Sequence, residues 1–300
     1  MTRDYAIYDV FTATKLEGNP LAVVFDADGL SDTDMAAIAG EFNLSETIFL
    51  VSPENDSHSA AARIFTPKSE LPFAGHPTVG ATVAIIERRG GLAGDGRIVT
   101  LEEGVGLVRC VVKDDQGTHF AEFDLPKLPV AAELTLEKEE IAEALGLSAA
   151  EIGFENHVPT LYSAGVPFLC VPVDGLEAIG RASTNTDGWP AFSKRSGFGE
   201  VYLYTRDTIR HDASYHVRLF APAFGIAEDP ATGAAAAAFA GVIMEFDAPH
   251  DGPHIVLIEQ GVEMGRPSAL RLELDVENRK LTKARLGGHA VKIAEGKLLL

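Results

Sequence analysis

The sequence carries its own second copy, in four blocks kept in the same order. Gly18-Asn19-Pro20-Leu21-Ala22-Val23-Val24 is echoed by Gly165-Val166-Pro167-Phe168-Leu169-Cys170-Val171, and Ser45-Glu46-Thr47-Ile48-Phe49-Leu50 by Gly199-Glu200-Val201-Tyr202-Leu203-Tyr204. Arg63-Ile64-Phe65-Thr66-Pro67 then corresponds to Arg218-Leu219-Phe220-Ala221-Pro222, and His76-Pro77-Thr78-Val79-Gly80-Ala81 to Asp229-Pro230-Ala231-Thr232-Gly233-Ala234. Blocks repeated in fixed order imply a duplicated lobe. Equivalent elements of the two lobes are then expected to face each other across a cleft, where ligand sites concentrate.

Within the first copy, periodicity predicts strands at Tyr5–Phe11, Leu21–Phe25, Thr47–Val51 and Ala60–Phe65, and further strands through Leu107–Val112. Helices are predicted over Asp32–Phe42, after the cap signal of Ser31, and over Pro77–Glu87. Short strands mixed with one long apolar helix predict an α+β fold, with a helix packed on or wrapped by sheet in each lobe. Strand patterning lapses at Lys113–Thr118 and again at Pro126–Pro129, which sets the lobes at 1–118 and 119–287. The final strand, 288–300, lies beyond the second repeat and is expected to complete the first lobe.

Over 300 residues, 46% hydrophobic and 23% charged, the chain can bury one large core or two medium ones. Its formal charge of −19 repels phosphate backbones and anionic lipid, so neither nucleic acid nor a membrane is expected as a partner. The N-terminus has charges at Arg3, Asp4 and Asp9 and no apolar core of signal-peptide length. The longest apolar stretch, Ala231 to Met244, is too short to cross a bilayer and predicts a buried helix. Cys110 and Cys170 lie in apolar, strand-like runs and are expected as small buried hydrophobes in a reducing cytoplasm. A two-cysteine racemase is the rival, but neither thiol has an adjacent turn, glycine or helix start to lower its pKa.

His76 and Asp229 each precede a proline that opens a small-residue helix, which predicts N-cap positions with Pro at the first helical residue. Two helix N-termini would form an anion site for a substrate carboxylate or a developing enolate. Asp229 alone fits a plain cap equally well. Histidine is not a preferred N-cap, so His76 points to proton transfer or substrate hydrogen bonding. Glu46 opens an almost wholly apolar strand, where scarce water would raise its pKa and suit it to carry a proton between carbons. A solvated strand-end glutamate explains the same residues, and Glu200 is equally placed in the repeat. Gly75, Gly80, Gly225 and Gly233 flank the helix starts, where close backbone approach or tight turns would use them. There is no nucleotide-binding glycine motif and no Cys/His spacing for a metal, so no cofactor and no metal are expected.

The segments DVFT, GNPLAVV, EFNLSETIFL, IFTPKSELPFAGHPTVGA and APAFGIAEDPATGAAA, with MGRPS at Met264–Ser268, resemble the signature segments of the PhzF-like isomerases of phenazine biosynthesis. The likeness spans nearly the whole chain. It implies the diaminopimelate-epimerase-like fold, two similar lobes each with a helix wrapped by sheet, and an active site where they meet. It implies Glu46, His76 and Asp229 as catalytic residues, with Asn19, Ser45, Gly75, Thr232, Gly233 and Ala234 around the substrate. In the phenazine enzyme the glutamate shuttles a proton within trans-2,3-dihydro-3-hydroxyanthranilate without a cofactor. A cofactor-independent isomerase acting on a small carboxylate-bearing molecule is the expectation, and a homodimer, since dimers are common among the look-alikes. Two departures stand out. Ala234 replaces the serine that follows D-P-A-T-G in the phenazine enzyme, and His76 and Asp229 occupy the places where amino-acid epimerases of this fold carry their cysteines. A small-molecule binding protein on the same fold, without turnover, is the alternative that Ala234 favours.

Overall fold

Strands of two kinds build the first unit, which comprises Met1–Pro126 and Arg285–Leu300: some alternate buried and more exposed side chains, and others, as at Leu21–Val24 and Thr47–Leu50, are buried continuously. Its strands are β1 (Thr2–Val10), β2 (Asn19–Val24), β3 (Glu46–Val51), β4 (Ala60–Phe65), β5 (Glu70–Leu71), β6 (Arg97–Glu103), β7 (Gly106–Asp115) and β8 (Thr118–Asp124). Between them run α1 (Asp32–Phe42) and α2 (Gly75–Arg88). The computed structural model describes every residue except Met1, Ala93, Asp95, Asn185, Gly197, Phe198, Ala223, Phe224 and Gly225. The expectation attached to Gly225 lies outside the described residues.

Strand pairing closes the first unit on itself. β1 runs antiparallel to β2, β2 parallel to β3, β3 antiparallel to β4 and β4 parallel to β6. β7 and β8 follow in antiparallel order, and the last strand of the chain, β17 (Lys280–Leu299), lies between β8 and β1. The ring is complete, and α2 fills it: every residue from Gly75 to Ile86 is buried. A helix hydrophobic on all faces needs such an enclosure. Gly80 lets it approach, since a Cβ there would meet Leu21 Cδ2 at 2.5 Å. α1 packs outside, with Met35, Ile38 and Ala39 against Val24, Phe49 and Phe65. It starts at a Ser31–Asp34 capping box and ends at Asn43 in the left-handed region.

The second unit, Lys127–Ala284, repeats the plan. Its strands are β9 (Val130–Ala132), β10 (Thr160–Ser163), β11 (Pro167–Pro172), β12 (Val201–Thr205), β13 (Tyr215–Ala221), β14 (Ile226–Asp229), β15 (Gly252–Gln260) and β16 (Ser268–Glu277). The pair β11/β12 is parallel, β12/β13 antiparallel and β13/β15 parallel, as in β2/β3, β3/β4 and β4/β6. Its central helix, α6 (Gly233–Phe246), is buried at Gly233 and throughout Ala235–Ile243. Three more helices, α3 (Lys138–Leu145), α4 (Gly175–Arg181) and α5 (Trp189–Ser196), cover an outer core around Leu169, Val171, Trp189 and Phe192. Both units fasten the end of the central helix in the same way to the strand just ahead of the first repeated block, β1 in one and β10 in the other. Tyr8 donates to Glu87 in one and Tyr162 to Glu245 in the other, each at 2.8 Å.

The first unit extends to Pro126 rather than 118, because β8 is paired with both β7 and β17. It recovers the chain at Arg285 rather than 288, where Arg285 pairs with Asp124. No helix among the described residues is long and apolar enough to cross a membrane.

Candidate active site

Glu46 opens β3 opposite Leu21 of β2, which places it at the same end of the sheet as Asn19 and Pro20. Asn19 is fully buried, and Ser45 is half-buried just ahead of Glu46. From β4 the chain passes through β5 into α2 and brings His76 against Glu46, with Nδ1 3.3 Å from Oε2. His76 is not the N-cap. Ala74 takes that position with an extended backbone, making Gly75 the first helical residue and His76 the second. The cause is the Ala74 carbonyl, which accepts from both the amide and the hydroxyl of Thr78, at 3.2 and 2.8 Å, so the helix opens earlier. Pro77 is tolerated because its missing N–H has no use in a first turn.

Burial pushes the His76 imidazole down to about 3, with the nearby Pro20 carbonyl offsetting it in part. The ring is therefore neutral, and its contact with Glu46 is not an ion pair. Its Nε2 is enclosed with no hydrogen-bond partner among the described residues, an arrangement that costs about 1–3 kcal/mol and is relieved by a polar ligand. Below this turn, Thr78 Oγ1 lies 2.9 Å from Glu103 Oε1, and burial pushes the Glu103 carboxyl up to about 8.

In the second unit Asp229 ends β14 opposite Leu219 and is also not an N-cap. Thr232 holds that place, and α6 begins at Gly233, which is buried, followed by half-buried Ala234. The shift has a visible cause. The Thr232 amide donates to Gln260 Oε1 at 3.1 Å, and its hydroxyl donates to Asp229 Oδ2 at 2.5 Å. Gln260 Nε2 in turn donates to the Asp229 carbonyl at 2.8 Å and to Thr232 Oγ1 at 3.1 Å. Asp229 is thus tied to the helix start through Thr232. Gln260 was invisible to sequence reasoning. Its one signal is Gly261, at φ +76, where a Cβ would fall 2.6 Å from the Pro230 carbonyl oxygen.

Matching clamps hold the approaches to His76 and Asp229. Arg63 donates through Nε and Nη2 to both oxygens of Glu70 at 2.7 Å, fixing β5. Arg218 grips Glu228, the neighbour of Asp229, in the same way at 2.8 and 2.9 Å. Such bidentate pairs fix orientation as well as position. The rival carboxyl, Glu200, is buried just ahead of β12 and pushed up by that burial, with the Gly199 amide donating to it at 3.2 Å. Both cysteines are buried and free. Burial pushes Cys110 up to about 12 and raises Cys170 as well, so neither is a thiolate nucleophile.

A family model described as phenazine biosynthesis-like protein matches residues 8–296. A Mesorhizobium japonicum protein named as an uncharacterized isomerase is 53% identical over 302 residues, covering 100% of this chain and 99% of its own. Trans-2,3-dihydro-3-hydroxyanthranilate isomerase of Pseudomonas chlororaphis is 33% identical over 296 residues, with 99% of each chain covered. Among solved structures, the phenazine biosynthesis protein of the PhzF family from Bacillus anthracis superposes with a TM-score of 0.89 at 28% identity, covering 100% of both chains.

Proposed function

The chain belongs to the phenazine biosynthesis-like (PhzF) family and is an isomerase, and on that premise we propose that it moves a proton between carbons of a small carboxylate-bearing molecule by acid/base catalysis. The observation that carries this reading is the Glu46 carboxyl set 3.3 Å from an imidazole that burial keeps neutral. With the imidazole neutral, the group of this pair placed to accept a carbon-bound proton is the Glu46 carboxyl. Glu46 takes the proton, the C–H electron pair enters the conjugated system, and the protonated carboxyl returns the proton at a second carbon. The substrate regains one proton for the one it loses, and no external oxidant or reductant is used.

His76 hydrogen-bonds the delocalised anion through its ring, and the first amides of α2, at Gly75 and His76, offer unpaired donors to negative charge. Asn19 and Ser45 lie at the same end of the first unit's sheet and offer further polar contacts there. In its own unit Asp229 is tied through Thr232 to the start of α6, whose first amides, at Gly233 and Ala234, offer donors of the same kind. Ala234 offers no hydroxyl, which favours a substrate lacking a group at that point over one that needs the bond. The test is NMR of wild-type protein in D2O with trans-2,3-dihydro-3-hydroxyanthranilate and a panel of small amino and hydroxy acids. Deuterium entering a carbon position supports the reading, and identifies the substrate class. Ligand-dependent thermal stabilisation with no carbon exchange in any member contradicts it.

A further inference from the structure

His216 lies in the middle of the second unit, on β13, with its side chain fully enclosed between two carboxylates. Nδ1 is 2.7 Å from Glu259 Oε1 and Nε2 is 2.9 Å from Glu263 Oε1. A neutral imidazole has one N–H, so a ring with an acceptor at each nitrogen is satisfied only as the imidazolium. Glu259 is held further by the amides of Ile209 and Arg210, which donate to its two oxygens at 2.7 and 2.8 Å. Glu259 and Glu263 bracket Gln260, which holds Asp229 and Thr232 by hydrogen bonds, and Gly261, whose backbone runs so close to Pro230 that a Cβ would not fit. We infer that His216 is a positioning residue for the Asp229–Thr232 pair, acting by stapling both ends of the segment that carries Gln260.

The repeat shows which half of this arrangement the two units share and which half serves the segment of Gln260. Arg218, two residues along the same face of β13, has its counterpart in Arg63, and both clamp a glutamate. His216 corresponds to Ala61, and opposite Ala61 the first unit places Glu102, held by the amides of Glu54 and Asn55 at 2.8 and 3.1 Å and by His58 Nδ1, much as Glu259 is held. The further bridge from the imidazole to Glu263, beyond Gln260, is made in the second unit by His216 on the strand itself. The charged groups that face the imidazole are Glu259 from β15 and Glu263 from the following turn, with Arg218 acting on Glu263 from β13. Those two carboxylates outweigh burial and raise the imidazole to about 9. The staple is closed at neutral pH and opens as the ring loses its proton.

The inference rests on the role given above to Asp229, but its test does not use turnover. The measurement is residue-resolved amide hydrogen exchange of the full chain between pH 7 and 10.5, in wild type and His216→Gln, with the Thr232 amide as reporter and the Phe239 amide in mid-helix as control. In wild type, protection at Thr232 is expected to fall at least about tenfold through the same midpoint as the His216 ring signals. In His216→Gln it should already be low at pH 7, with Phe239 unchanged. Equal protection at Thr232 in both proteins at pH 7, or joint loss at Thr232 and Phe239, overturns the proposal. Glu263→Gln serves if His216→Gln does not fold. It removes one carboxylate charge from beside the imidazole, so the His216 midpoint and the loss of Thr232 protection should move together to lower pH, and movement of one without the other contradicts the staple. Carbon exchange by the enzyme can fail while Thr232 responds as stated, or succeed while it does not, so the two readings fall separately.

Discussion

His76 Nδ1 lies 3.3 Å from Glu46 Oε2, and the geometry of an ion pair here conceals a neutral contact. Burial, which holds the imidazole at about 3, prevents it from taking a proton in the physiological range. In the proposed reaction His76 therefore acts by hydrogen bonding rather than proton storage. His76→Asn should lower turnover by roughly 100-fold, the usual effect of deleting one donor to a developing anion. Between pH 5 and 8 the shape of kcat/KM against pH should match wild type. An acid limb that vanishes in the variant would show that His76 titrates during the reaction.

The same imidazole shapes stability in acid. Its folded value lies below the ordinary 6.5, so the unfolded chain binds the proton more readily, and stability is full above about 6.5 and lost as pH falls toward 3. His76→Asn should flatten that part of the curve, read by denaturant unfolding at a series of pH values. An unchanged slope would contradict a buried neutral ring.

Glu103 works in the opposite sense. Its folded value of about 8 exceeds the ordinary 4.5, so stability is full below about 4.5 and declines as pH rises through 8. Glu103→Gln should remove this decline, a difference on the order of a few kcal/mol at pH 9 given about 1.4 kcal/mol per unit. Parallel curves for the two proteins would place the Glu103 carboxyl in contact with water.

The two arginine clamps look alike but differ in burial. The side chains of Arg218 and Glu228 are 8% and 16% exposed, against 30% and 42% for Arg63 and Glu70. Arg218 also donates to the Ile179, Gly180 and Ala182 carbonyls at the end of α4. Arg218→Gln should cost about 3–5 kcal/mol of stability, as expected when one partner of a buried pair is removed. Arg63→Gln should cost roughly 1 kcal/mol or less. Urea unfolding checks both, and equal losses would contradict the difference in environment.

Local chemistry was legible in the sequence, and long-range satisfaction was not. The Ser31 cap and the helix over Asp32–Phe42 are present as expected because every determinant of α1 lies within a few residues. The repeat made Glu46 and Glu200 twins: Glu46 begins β3 and Glu200 stands just ahead of β12, each strand pairing with the arginine-bearing one. The helix starts were misplaced for a common reason. Proline marked a first turn but not the residue whose backbone opens it, and at Asp229 the opening is set by Gln260, distant in sequence. Gln260 and His216 are ordinary residues in ordinary strands until β15 is laid beside β13. Their importance is a property of that pairing.

The most direct test is carbon-bound deuterium uptake in D2O by wild type and by Glu46→Gln, on whichever substrate the wild type accepts, with ligand-induced thermal shift measured beside it. Uptake should fall by roughly 100- to 10,000-fold in Glu46→Gln, the range for loss of a positioned acid/base group, while the thermal shift persists. Uptake by Glu46→Gln near the wild-type rate would contradict the assignment of Glu46 as the proton carrier.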